Sequence, residues 1–346
     1  MRGLTPFFGK RAQVKAWWAA LTSLGVCGAL LVIGCGEDTF SPPLPTPCVQ
    51  EAARSIFLKP PRFLSQTELF NADGSLAKDV VPFEPRYKLW SDGAEKRRFV
   101  YIPSCEKIDV SDMDHWEFPV GTRFWKEFTR DGVRIETRFI QRFGPRQEDW
   151  FFAAYLWDDK DSDAVLVPDG VPNAKGTTHD VPSQKDCKLC HEPQPERILG
   201  FGALQLTHLG EGVTLQELNA AGRLSRPVPQ GFEVPGNEQE KAALGYLHAN
   251  CGTCHNGYFQ TVNLRLRIYV ADRAVKDTDA YTTTLGQEPV SFMCPGCQII
   301  HPGQADASVL VERIRSREMG LAMPPIASKL VDEVGLKAVS DWVNSL

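Results

Sequence analysis

Two pentapeptides, Cys187-Lys188-Leu189-Cys190-His191 and Cys251-Gly252-Thr253-Cys254-His255, constrain this chain more than its length or composition does. Each is C-x-x-C-H, the spacing at which two thiols add to the vinyl groups of a c-type haem and the next histidine takes the iron. With 10 Cys and 7 His in 346 residues, chance supplies about 0.006 such strings per chain. Other uses of paired thiols fit less well. A thioredoxin-like pair favours a βαβ setting and needs no following histidine. A zinc site built from Cys187, Cys190, Cys251 and Cys254 would bridge a gap of about 60 residues, far beyond ribbon spacing, and would leave both histidines unused. The expectation is two covalently bound haem c groups, with His191 and His255 as proximal iron ligands.

Haem attachment of this kind needs an exported chain, and the N-terminus is written like an export signal. Arg2, Lys10, Arg11 and Lys15 precede an apolar run from Ala16 to Ile33, and no acidic residue comes before Glu37. The run ends in Val32-Ile33-Gly34-Cys35, a lipoprotein-type cleavage site that would remove residues 1–34 and place a lipid on Cys35. An uncleaved membrane anchor is the alternative, since the run is nearly long enough to span a bilayer. Either way the globular part is expected outside the cytoplasm, tethered to a bacterial membrane and facing the periplasm or the cell surface. Residues 35–47, with Ser41-Pro42-Pro43-Leu44-Pro45-Thr46-Pro47, read as a stiff proline-rich tether. The formal net charge of −5 becomes more negative once four basic and no acidic residues leave with the signal. An acidic exported chain is a poor partner for nucleic acid.

The remaining cysteines also fit an oxidising compartment. Cys27 departs with the signal, Cys35 takes the lipid and four thiols hold haem, which leaves Cys48, Cys105, Cys294 and Cys297. An even remainder reads as two disulfides. The expected pairing is Cys48–Cys105, and Cys294–Cys297 across the tight Pro295-Gly296 turn, with swapped pairings open because sequence does not fix connectivity.

From residue 48 to about 175 the pattern is that of strands. Val133, Ile135, Thr137 and Phe139 alternate with Arg134, Glu136 and Arg138, the period of a half-buried strand. Arg97–Ile102, Thr122–Phe128 and Trp150–Trp157 are similar runs, punctuated by Pro103, Pro119-Val120-Gly121, Asp131-Gly132 and Gly144-Pro145. Asp131-Gly132 predicts a hairpin. The region is expected to be an antiparallel sandwich or barrel, with its many aromatics in the core, or alternatively forming a face for a glycan or protein partner. Asp159-Lys160-Asp161-Ser162-Asp163 has the alternating acids of a calcium loop but lacks its glycine and closing glutamate, so an acidic turn is expected.

The second half reads as helical. Thr214 to Glu217 is a capping box and Gly222 a stop; Asn237 with Glu240 opens a helix whose Ala243, Leu244 and Leu247 lead into Cys251. Further helices are predicted from Ser308 to about Arg315 and from near Asp332, with Leu336, Val339 and Val343 on one face and Trp342 beside them. The expected fold class is α+β and multidomain: a β-rich domain over 48–175, a first haem segment over 176–235 and a mainly α, cytochrome c-like domain over 236–346.

The sixth iron ligands are less determined. Met323, in Ala322-Met323-Pro324-Pro325, lies between the haem helix and the terminal helix and is the expected distal ligand of the second haem, with Met319 in reserve. A thioether favours ferrous iron, so this site would have the higher potential. For the first haem the candidates are His179 and, in reserve, His208, with His115 and His301 as outsiders and an open position as a further alternative. His248 is expected to point away from its own haem. Two strong ligands restrict a haem to electron transfer, whereas an open iron admits ligand or peroxide chemistry.

The chain resembles a poorly characterised family of exported bacterial dihaem c-type cytochromes. The resemblance rests on Leu89-Trp90-Ser91-Asp92-Gly93-Ala94-Glu95-Lys96-Arg97-Arg98, Phe118-Pro119-Val120-Gly121-Thr122 and Val181-Pro182-Ser183 before the first haem motif. Leu199-Gly200-Phe201-Gly202, Gln205-Leu206, Tyr246-Leu247-His248-Ala249-Asn250, Met323-Pro324-Pro325 and Trp342 continue it. It implies two covalent haems behind a β-rich N-terminal domain, and no particular substrate. The functional expectation is one-electron transfer between redox protein partners. The alternatives are a dihaem peroxidase or oxidase with an open first haem, and a glycan- or protein-binding module whose haems report redox state.

Overall fold

The period-2 stretches pair into one sheet. The computed structural model describes residues 54–346 apart from 211, 259–262 and 291–293; the export signal, Cys35, the tether and Cys48 lie outside the described residues. Six strands run as an antiparallel meander in chain order: β1 (Val81–Pro82), β2 (Glu95–Tyr101), β3 (Arg123–Arg130), β4 (Val133–Arg142), β5 (Trp150–Trp157) and β6 (Ala164–Leu166). The expected β3–β4 hairpin closes through Asp131 and Gly132, both at positive φ (52° and 77°), the backbone a two-residue turn needs and asparagine, aspartate or glycine tolerate best. Among the described residues there is one open sheet rather than the two of a sandwich.

Alternation gives this sheet two buried faces. Phe99, Tyr101, Trp125, Phe139, Ala153, Tyr155 and Trp157 pack under the 57–80 segment with Leu64 and Leu69. Trp125 and Phe139 are direct cross-strand partners with rings stacked 5.3 Å apart, a contact of the kind that adds about 0.5–1.5 kcal/mol to the area it buries. The other face presents Val100, Ile102, Phe124, Trp150 and Phe152 to Phe118, Phe201, Leu206 and Leu215. That second core crosses from the strand region into the 198–228 segment, and the described residues form one compact unit.

Among the described residues seven α-helices follow: α1 (Gln184–His191), α2 (Ala203–Leu206), α3 (Leu215–Ala220), α4 (Glu238–Asn250), α5 (Asp279–Thr282), α6 (Val309–Arg315) and α7 (Glu333–Ser345). Reciprocal capping boxes open three of them, at Ser183/Asp186, Thr214/Glu217 and Asn237/Glu240. The fold is thus mixed α+β. Helices α4, α6 and α7 enclose a separate core of Leu244, Leu247, Val311, Ile314, Val339, Trp342 and Val343. Gly335 of α7 lies against the Tyr246 ring of α4, where a Cβ would collide. Cys294 and Cys297 are joined by a disulfide. Cys105 is also disulfide-bonded, and Cys48, its expected partner, is outside the described residues.

Candidate functional site

The first C-x-x-C-H occupies the whole last part of α1, which packs against β5. The Ser183 hydroxyl accepts from Asp186 N at 3.1 Å, while the Asp186 carboxylate accepts from Ser183 N at 3.0 Å, so the helix start is fixed four residues before Cys187. His191 lies with its ring 4.8 Å from Phe152 and donates from Nδ1 to the Arg197 carbonyl at 2.6 Å. That bond selects the tautomer in which Nε2 keeps its lone pair, the arrangement seen when a backbone carbonyl orients a metal-ligating imidazole. Burial pushes the His191 pKa down to about 3, so the ring is neutral and fit to ligate.

The second motif follows α4 directly. Cys251 caps the helix, its N–H bonded to the Leu247 carbonyl at 2.9 Å, and is itself buried in the α4–α7 core. Gly252 has no room for a side chain: a Cβ there would meet the His248 carbonyl at 2.7 Å and Arg267 Cα at 2.9 Å. Asn256 closes the turn by donating to the Gly252 and Thr253 carbonyls at 3.0 Å each. His255 is part-buried, which lowers its pKa against the opposing backbone of Leu264, and its Nδ1 makes no well-formed hydrogen bond among the described residues. His248 is turned to other work, accepting on Nδ1 from Ile268 N at 3.1 Å.

Folding brings the two motifs together. The Cys190 and Cys254 thiols act on each other, which holds the Cys254 thiol down to about 7 and raises Cys190. Burial pushes Cys187 up to about 11 and Cys251 up to about 12. All four are free thiols, whereas Cys105, Cys294 and Cys297 are disulfide-bonded. A polar clasp runs beside them. Gln194, three residues after His191, donates to the Thr253 carbonyl inside the second motif and accepts from Arg267 at 2.7 Å. Arg267 also pairs with Glu196 at 2.9 Å and donates to the Asp114 carbonyl at 2.5 Å. None of these three side chains was singled out by the sequence pattern, since their only signal is polarity near a motif. Next to the clasp a solvent-open cleft is walled by Arg98, Lys126, Trp116, Phe201, His248 and Thr253, among others.

The distal candidates are distributed unevenly. His179 is buried and its Nε2 is held by Glu136 at 2.7 Å, with Phe128 beside the ring. His208 uses both ring nitrogens, Nε2 toward the Glu84 carbonyl at 2.7 Å and Nδ1 accepting from Gly210 N at 2.9 Å. His115 is fixed through Nδ1 by Asp112 at 2.9 Å, against Tyr258, and its buried Nε2 has no partner among the described residues. Met319 is 99% exposed, which removes it from any packed site.

Met323 is half-buried on a loop tied down at several points. Its N–H bonds the Arg313 carbonyl at 2.8 Å, and the Arg313 charge acts on His255. Leu330 of the same loop bonds Asp92 at 2.8 Å and accepts from Trp90 Nε1 at 3.3 Å, while Trp90 N bonds Asn250 Oδ1 at 2.6 Å. The Trp90-Ser91-Asp92-Gly93 turn therefore joins the end of α4 to the methionine loop. The acidic 159–163 stretch is a hydrogen-bonded turn around Asp158, and the described residues contain no cluster of three or more His, Cys, Asp or Glu able to hold a metal ion. No described helix is long and apolar enough to cross a membrane. No family model matches the chain, nor does any curated protein or solved structure.

Proposed function

We propose that this chain is an exported dihaem c-type cytochrome that passes single electrons between redox partners. The observation that carries the reading is the convergence of two C-x-x-C-H motifs whose four thiols are free while the other described cysteines are in disulfides. The residues fit the group: Cys187, Cys190 and His191 would hold one haem c, and Cys251, Cys254 and His255 the other. When bound, such haems supply one-electron chemistry. The chain itself does the positioning. The Arg197 carbonyl orients His191, and Gln194, held by Arg267 and donating to the Thr253 carbonyl, holds one motif against the other.

The α4–α7 core with Trp342 supports a cytochrome c-like C-terminal region, in which the anchored Met323 loop would give the second haem its sixth ligand. Lipidation at Cys35 would keep the protein on a bacterial membrane, facing the periplasm or cell surface. A second reading, a peroxidase- or oxidase-type enzyme, gains support from the engagement of His179 Nε2 and both His208 nitrogens elsewhere, which favours an open first site.

Intact mass of the denatured, exported protein tests the first reading: two covalent haems are expected, and one after Cys187→Ala/Cys190→Ala. A mature chain with no haem, or an oxidised dithiol in its place, overturns it. Cyanide added to the holoprotein separates carrier from enzyme, since a spectral change assigned to one haem marks an open iron.

A further inference from the structure

The cleft beside the clasp is lined by donors that the fold leaves without acceptors. Trp116 is 2% exposed, and its Nε1 has no hydrogen-bond partner among the described residues. His248 accepts on Nδ1 from Ile268 N at 3.1 Å, so its ring proton sits on Nε2. Burial pushes the His248 pKa down to about 3, which keeps the ring neutral, and Nε2 makes no hydrogen bond among the described residues. Lys126 is half-buried and likewise has no hydrogen bond or ion pair there. Its cross-strand neighbours Arg98 and Arg138 are already paired, with Glu84 at 3.0 Å and Glu136 at 2.7 Å. Burial, reinforced by Arg98, Arg138 and Lys96, holds the Lys126 ammonium well below the ordinary lysine value; a neighbouring anion would restore its charged form.

Much of the remaining wall is apolar. Phe201 meets the Trp116 ring edge-on at 6.1 Å, and Ile198, Leu199 and Tyr87 continue that surface. Glu196 also lines the cleft, with Oε2 unpaired among the described residues, so a second negative charge on an occupant would meet a carboxylate. None of Cys187, Cys190, His191, Cys251, Cys254 or His255 lines the cleft, although Gly252 and Thr253 do. We propose that this cleft binds a small aromatic monocarboxylate, its carboxylate toward Lys126, His248 and Trp116 and its ring on the wall beside Phe201. Buried donors are nearly always satisfied, and a carboxylate offers about four lone-pair sites on two oxygens. A single charge matches the unpaired ammonium and avoids Glu196, while an aromatic body suits a wall of rings. Recognition here needs no haem, since every contact comes from cleft residues. Inorganic phosphate offers similar oxygens without an apolar body and is the competing source.

Isothermal titration calorimetry of the whole exported protein with benzoate tests this. Benzoate should bind saturably; benzamide, its neutral isostere, should bind about tenfold more weakly or worse, and so should acetate, which lacks the ring. Lys126→Met should weaken benzoate by about tenfold and leave benzamide unchanged, a split that general damage to the fold would not produce. Trp116→Phe keeps a ring but removes the N–H, so it should weaken benzoate a few-fold, and it serves if Lys126→Met does not accumulate. Equal affinities for benzoate and benzamide, benzoate binding untouched by both substitutions, or no saturable heat would overturn the proposal. So would phosphate binding more tightly than benzoate and displacing it, because that assigns the cleft to an inorganic oxyanion. Haem content by mass is measured alongside. A chain without haem that still binds benzoate removes the haem reading and leaves this site, whereas a dihaem chain that binds none does the reverse.

Discussion

Replacing Arg267 with leucine should part the two cysteine motifs. The guanidinium is buried, pairs with Glu196 at 2.9 Å, donates to Gln194 at 2.7 Å and reaches the Asp114 carbonyl at 2.5 Å. The Glu196 side chain is only 9% exposed, so the substitution leaves a buried carboxylate without its cation. Removing one partner of a buried pair costs about 3–5 kcal/mol, and the freed Gln194 oxygen adds to it. We therefore expect a loss of about 3–5 kcal/mol in urea unfolding followed by tryptophan fluorescence. Glu196→Gln on its own should cost less, and in the Arg267→Leu background it should recover about 2 kcal/mol, because a neutral amide no longer needs the cation. If the clasp also sets the spacing of the motifs, the separation between the two redox steps should change in Arg267→Leu. Strictly additive effects in the double variant, or a loss under about 1 kcal/mol for Arg267→Leu, would falsify the clasp.

Two further perturbations probe the walls around the first motif. Glu136→Gln leaves Arg138 and His179 without the buried carboxylate they share, and should cost about 3–5 kcal/mol in the same unfolding assay; a cost under about 1 kcal/mol would show that solvent replaces it freely. The Asp180 carboxyl is raised by burial but lowered more by Lys329 at 2.7 Å and the Asn173 amide, so it lies below the usual carboxylate range. A depressed folded pKa means that its contribution is complete above the unfolded carboxylate value and lost as pH falls through the folded one. Both partners are more than a third exposed, so screening leaves this contribution at a few tenths of a kcal/mol. Asp180→Asn should therefore abolish a small acid-side slope in stability and raise amide exchange in the 317–331 loop; unchanged exchange there would exclude Lys329 as that loop's tether.

Much of the fold was legible because it is locally encoded. Alternation at Val133–Phe139 marks β4, and Asp131-Gly132 supplies the turn chemistry its hairpin requires. Thr214/Glu217 and Asn237/Glu240 announce helix starts by residues three apart, as the hydrogen bonds bear out. Whether the strands close into a sandwich or lie as one meander depends on which surfaces cover the two faces, and alternation is identical in both cases. The site divides the same way. Cys187 to His191 and Cys251 to His255 are visible as strings, but the 2.7 Å bond from His179 to Glu136 spans 43 residues and has no local signature. The string around His179 does not announce its partner on β4. Lys126 was invisible for the opposite reason: a lysine in a strand reads as solvent-facing, and only the register places it between two arginines.

The two motifs also differ in their surroundings. The second is surrounded by devices that fix a loop: Asn250 holds Trp90, Trp90 and Asp92 hold Leu330, and Arg313 holds Met323. Fixed loops suit a site whose ligands must not rearrange between oxidation states. Beside the first motif, His179 is bonded to Glu136 and His208 to the Glu84 carbonyl.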